Sequence, residues 1–225
     1  MHKLAIFDID GTLINSSAVD EACFVRAAAE AFAIRDIDTR WENYLHATDG
    51  AVFEEIFERH SERKPTRAEV QKQIDAFVQH LRERHQQNPL LFHEINGASN
   101  VIRVLREHPE WKPAIATGTW QEAASFKLEA AGLDVDGIPI ATGSDAHPRE
   151  EIIRTCISRA QEAYHVKHFQ KIVSIGDAIW DMRAAQTLGI PFIMICPSAP
   201  PAVSDPPPVL KDYTDIPLFL KHLEK

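Results

Sequence analysis

Short, continuous runs of apolar residues recur along the chain and predict buried strands. Five such runs cover residues 3–7, 114–116, 137–141, 172–175 and 191–196. A strand that is buried on both faces appears as an unbroken apolar run, whereas a half-exposed strand alternates apolar and polar residues. The pattern therefore predicts a parallel sheet that is covered on both sides.

Helical patterns separate these strands. Apolar residues recur at spacings of three and four over residues 96–107, 120–131, 149–164 and 181–188, and a short helix is predicted at 215–223. Gly132 and Gly189 follow two of these segments and favour helix termination there. Strands alternating with helices at this spacing predict an α/β fold with a doubly wound parallel sheet.

The segment after the first strand departs from this alternation. Residues 16–88 contain no strand-like run, and helical periodicity covers 19–32, 51–60 and 67–87. We therefore predict an inserted α-helical domain over 16–88 and an α/β core domain made of 1–15 and 89–225. A proline-rich stretch, 197–208, is predicted to be an extended surface connection.

Composition and charge exclude several function classes. The net charge of −9 over 225 residues argues against nucleic-acid binding. No apolar run approaches the length of a transmembrane helix, and no signal-peptide pattern precedes the first strand, so we expect a cytoplasmic protein without a membrane partner. Three widely spaced cysteines predict neither a disulfide framework nor a zinc site. The oligomeric state is left open.

Candidate chemistry begins at the end of the first strand. Asp8 and Asp10 lie two residues apart, so their side chains can point to the same side, and Gly11 and Thr12 then turn the chain away. Ligands of open α/β sheets bind at the carboxyl ends of the strands. Two close carboxylates need a cation, and Mg²⁺ suits carboxylates that also face a phosphate. The alternative is that this sequence only forms a turn.

Two further strand ends carry similar residues. Asp177 follows the 172–175 strand, and Asp181 lies four residues later, on the next helix. Thr117 and Gly118 follow the 114–116 strand, where a hydroxyl and backbone N–H groups can hold phosphate oxygens. Helix capping is an alternative role for Thr117 and is compatible with phosphate binding.

These motifs resemble those of the haloacid dehalogenase-like superfamily, in particular the phosphoglycolate-phosphatase-like branch with a helical cap. Residues 7–13, Phe-Asp-Ile-Asp-Gly-Thr-Leu, resemble its first motif, Thr117 its second, and residues 176–181, Gly-Asp-Ala-Ile-Trp-Asp, its acidic fourth motif. Their order and separation agree with the family over the whole chain. The resemblance implies a Rossmann-like core and identifies the helical insert as a cap.

The third motif of that family, a Lys or Arg, is less clear in this sequence. Arg149 is the first candidate, because a guanidinium can hold a phosphate and a carboxylate together. Lys127 is the second candidate, and a surface or salt-bridge role is the alternative for it. Helix capping is the favoured role of Thr48 and Asp49, although both could face the core, and Trp180 is expected to pack at the core edge rather than border the site.

The resemblance implies Mg²⁺-dependent hydrolysis of a small phosphate monoester. Asp8 would attack phosphorus and form an aspartyl-phosphate, and Asp10 would act as the acid and base. Mg²⁺ would be bound by the carboxylates of Asp8 and Asp177 and by the backbone carbonyl of Asp10, and Asp181 would bind it directly or through water. A phosphoglucomutase-type phosphoryl transfer and a non-catalytic binding protein on the same fold are the alternatives.

Overall fold

An all-parallel sheet of six strands forms the centre of the structure, a computed structural model that describes residues 2–196 and 205–225. The strand order is β3-β2-β1-β4-β5-β6. The strands are β1 (Lys3–Phe7), β2 (Trp111–Ala116), β3 (Ile140–Ala141), β4 (Ile172–Gly176), β5 (Phe192–Ile195) and β6 (Val209–Leu210). This order reverses direction beside β1, as in doubly wound nucleotide-binding folds, and confirms the predicted fold class.

Eight α-helices occur in the described residues. They are α1 (Ser17–Phe32), α2 (Asp49–Ser61), α3 (Arg67–Gln87), α4 (Ala98–Glu107), α5 (Gln121–Ala130), α6 (Arg149–Ala163), α7 (Ile179–Thr187) and α8 (Ile216–Glu224). Each lies within a few residues of a predicted helix, because a helix with one buried face leaves a strong periodic pattern. Within residues 2–196 and 205–225, no helix combines the length and the apolar character that a bilayer crossing requires.

Strands β1, β2, β4 and β5 bury both of their faces, as their apolar runs predict. Alternate residues of β1 belong to different buried clusters. Leu4 and Ile6 pack with Ile152 and Cys156 of α6, while Phe7 lies on the opposite face, 6.0 Å from Phe219 of α8 between ring centroids. Because successive side chains of a strand point to opposite faces, the sheet is covered by helices on both sides.

Three segments near the sheet edges differ from the prediction or lie outside the described residues. The strand predicted at 137–141 is limited to Ile140–Ala141, because Gly137 has a φ of 71° and forms part of a turn. β6, at Val209–Leu210, was not predicted, since two residues carry no periodic signal. The extended connection predicted over 197–208 falls mainly on residues 197–204, which lie outside the described residues.

Residues 16–88, which contain helices α1–α3 and are here called the helical insert, share their hydrophobic core with the sheet domain. The indole of Trp120, in the loop between β2 and α5, lies among Phe24 of α1, Phe53 of α2 and Phe77 of α3, with ring centroids 5.9, 6.3 and 6.1 Å away. Only 3% of Trp120 is exposed. The buried cluster is continuous from β1 to the insert. The division into a core domain and a cap domain over 16–88 remains a proposal.

Candidate active site

The candidate catalytic carboxylates lie where two neighbouring parallel strands end. β1 pairs with β4, Phe7 lies opposite Ile175, and Asp8 donates its backbone N–H to the carbonyl of Ile175 at 3.0 Å. Asp177 follows the end of β4, and Asp181 lies in the first turn of α7. The sheet therefore brings together residues that are more than 160 positions apart in sequence, at the point where ligands bind in this kind of fold.

Asp8, Asp177 and Asp181 form a tight carboxylate cluster. Each of them offers an oxygen that lies within 4.8 Å of those of the other two. Burial and, to a smaller extent, the charge of Asp181 raise the pKa of Asp8 to about 7, while Arg149 opposes the shift. Burial and the charges of Asp181 and Asp8 also hold the pKa of Asp177 well above its usual value. Desolvated carboxylates this close together need positive charge nearby.

The donor set fits a hard divalent cation. Oδ1 of Asp8 is buried and accepts no hydrogen bond from any residue that the structure describes, although a buried oxygen normally has a partner. Carboxylate oxygens from three side chains are the ligands that Mg²⁺ prefers. Asp181 is already engaged in part, because its Oδ2 accepts a hydrogen bond from the backbone N–H of Ala178 at 3.2 Å.

Two glycines allow the carboxylates to approach the backbone. A Cβ on Gly11 would lie 2.0 Å from Oδ2 of Asp177, and a Cβ on Gly176 would lie 2.7 Å from Cβ of Asp181. Gly11 also has a φ of 72°, a conformation that residues with side chains rarely adopt. The turn predicted from Gly11 is therefore also a packing requirement of the site.

The predicted third-motif residue, Arg149, contacts this cluster directly. Its Nη1 donates to Oδ1 of Asp181 at 2.5 Å and lies 3.5 Å from Oδ1 of Asp8, and its Nε donates to the carbonyl of Ala47 at 3.2 Å. A Cβ on Gly118 would lie 2.6 Å from Nη2 of Arg149. A side chain at this position would therefore displace the guanidinium from its place beside Asp181 and Asp8.

Thr117 and Gly118 face the same space as Asp8 and Arg149. All four line one cavity of about 740 Å³, which lies between the strand ends and the helical insert. The side chain of Thr117 is 2% exposed. The structure thus brings together the second-motif and third-motif candidates beside the carboxylates.

Lys127 occupies a different position from Arg149. Its side chain is fully buried, and its Nζ donates to Oδ2 of Asp10 at 2.6 Å, to Oδ1 of Asp20 and to Oγ1 of Thr119 at 3.3 Å. Burial lowers the pKa of Lys127, but the charges of Asp10, Asp20 and Asp49 outweigh that effect and raise it above its usual value. The surface position considered for this lysine is wrong, and the salt-bridge alternative describes what the structure shows.

Asp10 is held from two sides. Its Oδ1 accepts a hydrogen bond from the Ser16 hydroxyl at 2.6 Å, and its Oδ2 accepts one from Lys127. The sequence analysis did not predict that Ser16 and Lys127 are neighbours of Asp10. The signal for Lys127 is present in the sequence, since it shares the apolar face of α5 with Ala123, Ala124 and Leu128. Asp20 gives no such signal, because acidic residues are common in the first turn of a helix.

The helical insert contacts the site through Thr48 and Asp49. The carboxylate of Asp49 accepts hydrogen bonds from the Thr119 hydroxyl at 2.6 Å and from the backbone N–H of Trp120 at 3.0 Å. The Thr48 hydroxyl donates to the carbonyl of His147 at 3.0 Å and forms no cap hydrogen bond. The favoured capping role is therefore wrong for both side chains, which face the core instead.

Trp180 also departs from its expected position. It lines the cavity together with Ile179 at the start of α7, rather than packing at the core edge alone. The side chain is partly exposed because the cavity lies in front of it.

We expect Gly11→Ala to weaken Mg²⁺ binding at the candidate site by about tenfold or more, because the new methyl group would push the Asp177 carboxylate out of the cluster. The strained φ would also cost about 1–2 kcal/mol of stability. Gly137→Ala is the matched control, since Gly137 has a φ of 71° but nothing lies within 4 Å of its added Cβ. Mg²⁺ titrations of activity and thermal melts of both variants test this. Equal Mg²⁺ dependence in the two variants would contradict it.

Comparisons with known proteins agree with this geometry. Residues 5–195 match the model of the haloacid dehalogenase-like hydrolase family. No curated protein matches the sequence significantly. Among solved structures, a hydrolase from Pseudomonas syringae is 22% identical, with 87% of this chain and 84% of that chain covered and a TM-score of 0.63.

Two further structures share the fold over nearly the full length. CbbY from Rhodobacter sphaeroides, crystallised with xylulose-1,5-bisphosphate, is 17% identical, with 96% of each chain covered and a TM-score of 0.69. A predicted phosphoglycolate phosphatase from Haemophilus somnus is 18% identical, with 97% and 98% covered and a TM-score of 0.62. At these identities the structures support the fold alone, whereas the family model spans most of the sequence. The chain therefore belongs to the haloacid dehalogenase-like hydrolase family.

Proposed function

We propose that the protein is a Mg²⁺-dependent phosphatase that hydrolyses a small phosphate monoester through an aspartyl-phosphate on Asp8. The observation that carries this proposal is the position of Asp8, which lines the cavity, lies beside two further carboxylates and has a buried Oδ1 that accepts no hydrogen bond in the described chain. A carboxylate oxygen that accepts no hydrogen bond is available as a nucleophile.

The metal would be held by Asp8, Asp177 and Asp181, with the backbone carbonyl of Asp10 as a further ligand. When bound, Mg²⁺ supplies positive charge that offsets the repulsion between the anionic nucleophile and the anionic substrate. The fit of this site to Mg²⁺ depends on the three oxygens that converge within 4.8 Å.

The remaining roles fall to residues that line the cavity. Asp10 would protonate the leaving oxygen and then accept a proton from the hydrolytic water, since Ser16 and Lys127 fix its orientation. Thr117, the Gly118 backbone and Arg149 would hold the transferring oxygens, and the guanidinium would balance the charge that develops on them. The helical insert would act as the cap that covers the site and excludes water.

The test is release of inorganic phosphate from 4-nitrophenyl phosphate by purified protein, with Mg²⁺ or with EDTA. We expect turnover that requires Mg²⁺, together with a phosphorylated peptide containing Asp8 in samples quenched with acid. Isomerisation of a sugar phosphate without phosphate release would favour the mutase instead. Folded protein that releases no phosphate from any ester in the presence of Mg²⁺ would favour a binding role.

A further inference from the structure

The helical insert contributes acidic and aromatic side chains to the cavity that contains Asp8. Its acidic contributions are Asp20, Glu21, Glu42 and Asp49, and its aromatic contributions are Phe24 and Trp41. With a volume of about 740 Å³, the cavity is much larger than a phosphate group needs and has room for the alcohol part of a small ester. These insert residues would therefore surround the leaving group rather than the phosphoryl group.

Two of the four carboxylates are already satisfied by the chain. Asp20 pairs with Lys127, and Asp49 accepts two hydrogen bonds from Thr119 and Trp120. In contrast, the Glu21 and Glu42 side chains form no hydrogen bond or ion pair with any residue in the described ranges 2–196 and 205–225. Both are thus available to a ligand.

Few of the described residues that line the cavity carry a positive charge. Of the described residues that line the cavity, Arg149 alone is a lysine or an arginine, and its guanidinium is engaged by Asp181 and lies near Asp8. Lys127 does not line the cavity, and three acidic residues lie close to it. A second phosphate or a carboxylate on the leaving group would meet Glu21 and Glu42 without an unengaged cation among the described residues that line the cavity, so the cavity disfavours doubly anionic substrates.

The aromatic side chains complete a surface that suits a cation. Phe24 and Trp41 contact each other edge to face at 5.7 Å between ring centroids, and Trp180 lines the same cavity from α7. An ammonium group is attracted to the face of an indole and to carboxylates at the same time. Neutral alcohols would gain only the apolar contacts.

An observation outside the insert also points to a ligand in this cavity. Asp8 lines the same cavity and is only 6% exposed, and its Oδ1 accepts no hydrogen bond in the described chain. We propose that the substrate is a phosphate monoester whose alcohol carries an amino or quaternary ammonium group, bound by Glu21, Glu42 and Trp41. This inference rests on the proposed phosphatase function and names its substrate class.

The first experiment compares kcat/KM for three esters of similar size. The alcohol part of phosphoethanolamine carries an ammonium group, that of ethyl phosphate is uncharged, and that of phosphoglycolate carries a carboxylate. We expect phosphoethanolamine to exceed ethyl phosphate by about tenfold, and ethyl phosphate to exceed phosphoglycolate by a similar factor, which is about 1.4 kcal/mol for each step. 4-Nitrophenyl phosphate with Mg²⁺ serves as the reference for activity itself.

The second experiment removes the two free carboxylates. In the Glu21→Gln/Glu42→Gln variant, we expect the preference for phosphoethanolamine over ethyl phosphate to fall about tenfold. The control is Glu58→Gln, which also removes a negative charge from the insert but changes an exposed residue outside the cavity. Calorimetric titration of the Asp8→Asn variant with phosphoethanolamine and phosphoglycolate measures the same preference without turnover.

The outcomes separate this inference from the proposed function. One outcome is that 4-nitrophenyl phosphate is hydrolysed with Mg²⁺, but the kcat/KM or the affinity for phosphoglycolate equals that for phosphoethanolamine. The substrate class is then overturned and the phosphatase function stands. The substrate class is also overturned if the double variant keeps the wild-type preference. Failure to hydrolyse any of the four esters overturns both.

Discussion

We expect Asp8→Asn to lower phosphatase kcat by roughly 10⁴- to 10⁶-fold, the range seen when an enzyme loses its covalent nucleophile. An amide has no charge with which to attack phosphorus and cannot form the acyl-phosphate bond. The remaining site, with Arg149 and the Thr117 loop intact, would still bind the ester. Steady-state phosphate release with Mg²⁺ measures this loss.

A second readout shows that the variant is folded. Folding raises the pKa of Asp8 from 3.8 to about 7, so the ionised carboxylate costs stability in the absence of a cation. This cost grows as pH rises from the unfolded pKa of 3.8 and is complete above the folded pKa of about 7. Removing the charge should therefore raise the melting temperature of Asp8→Asn above that of the wild type in EDTA at pH 8. The control is Asp136→Asn, at an exposed residue outside the cavity. Substantial turnover by a folded Asp8→Asn protein would contradict the nucleophile assignment.

The second large effect concerns stability. We expect Lys127→Met to lower the free energy of unfolding by about 3–5 kcal/mol, because the largely buried carboxylates of Asp10 and Asp20 would lose their wholly buried cation. Methionine keeps the length and the apolar stem of the lysine, so loss of packing contributes little. Urea denaturation at neutral pH gives the change directly.

Two companion variants separate charge from shape. Lys167→Met makes the same substitution at an exposed residue and should change stability by less than about 0.5 kcal/mol. Asp20→Asn combined with Lys127→Met removes one of the unpaired charges and should recover part of the loss. A Lys127→Met protein that is within about 1 kcal/mol of the wild type, or a double variant less stable than the single one, would rule out the buried ion cluster as the cause.

The sequence predicts the sheet and most helices because both carry a strong periodic signal. The unbroken apolar runs of β1 and β4 identify parallel strands, and the carboxyl ends of such strands meet at one edge of the sheet. Asp8 and Asp177 could therefore be placed together from sequence. The strand at β3 was predicted too long, and β6 was not predicted. A strand of two residues has no pattern of its own and is recognised only by its pairing with the neighbouring strand.

Contacts across the site were harder to predict, since they depend on tertiary packing. The position of Lys127 on the apolar face of α5 indicates burial, but its partners Asp10 and Asp20 become neighbours only when the insert folds back onto the sheet. Asp49 illustrates the same limit. Its position at the start of a helix favours capping, whereas its carboxylate binds the loop after β2.

The indole of Trp120 has a consequence for how the enzyme exchanges its substrate. A tryptophan buries about 150–250 Å², so exposing it completely would cost about 4–6 kcal/mol. Molecules in which the insert has moved far enough to expose Trp120 completely would then be roughly one in 10³ to 10⁴ at equilibrium. A catalytic cycle that required this conformation would be slowed by its low population. Substrate entry and product release are therefore fastest through a partial movement that widens the cavity mouth while Phe24, Phe53 and Phe77 keep the indole covered.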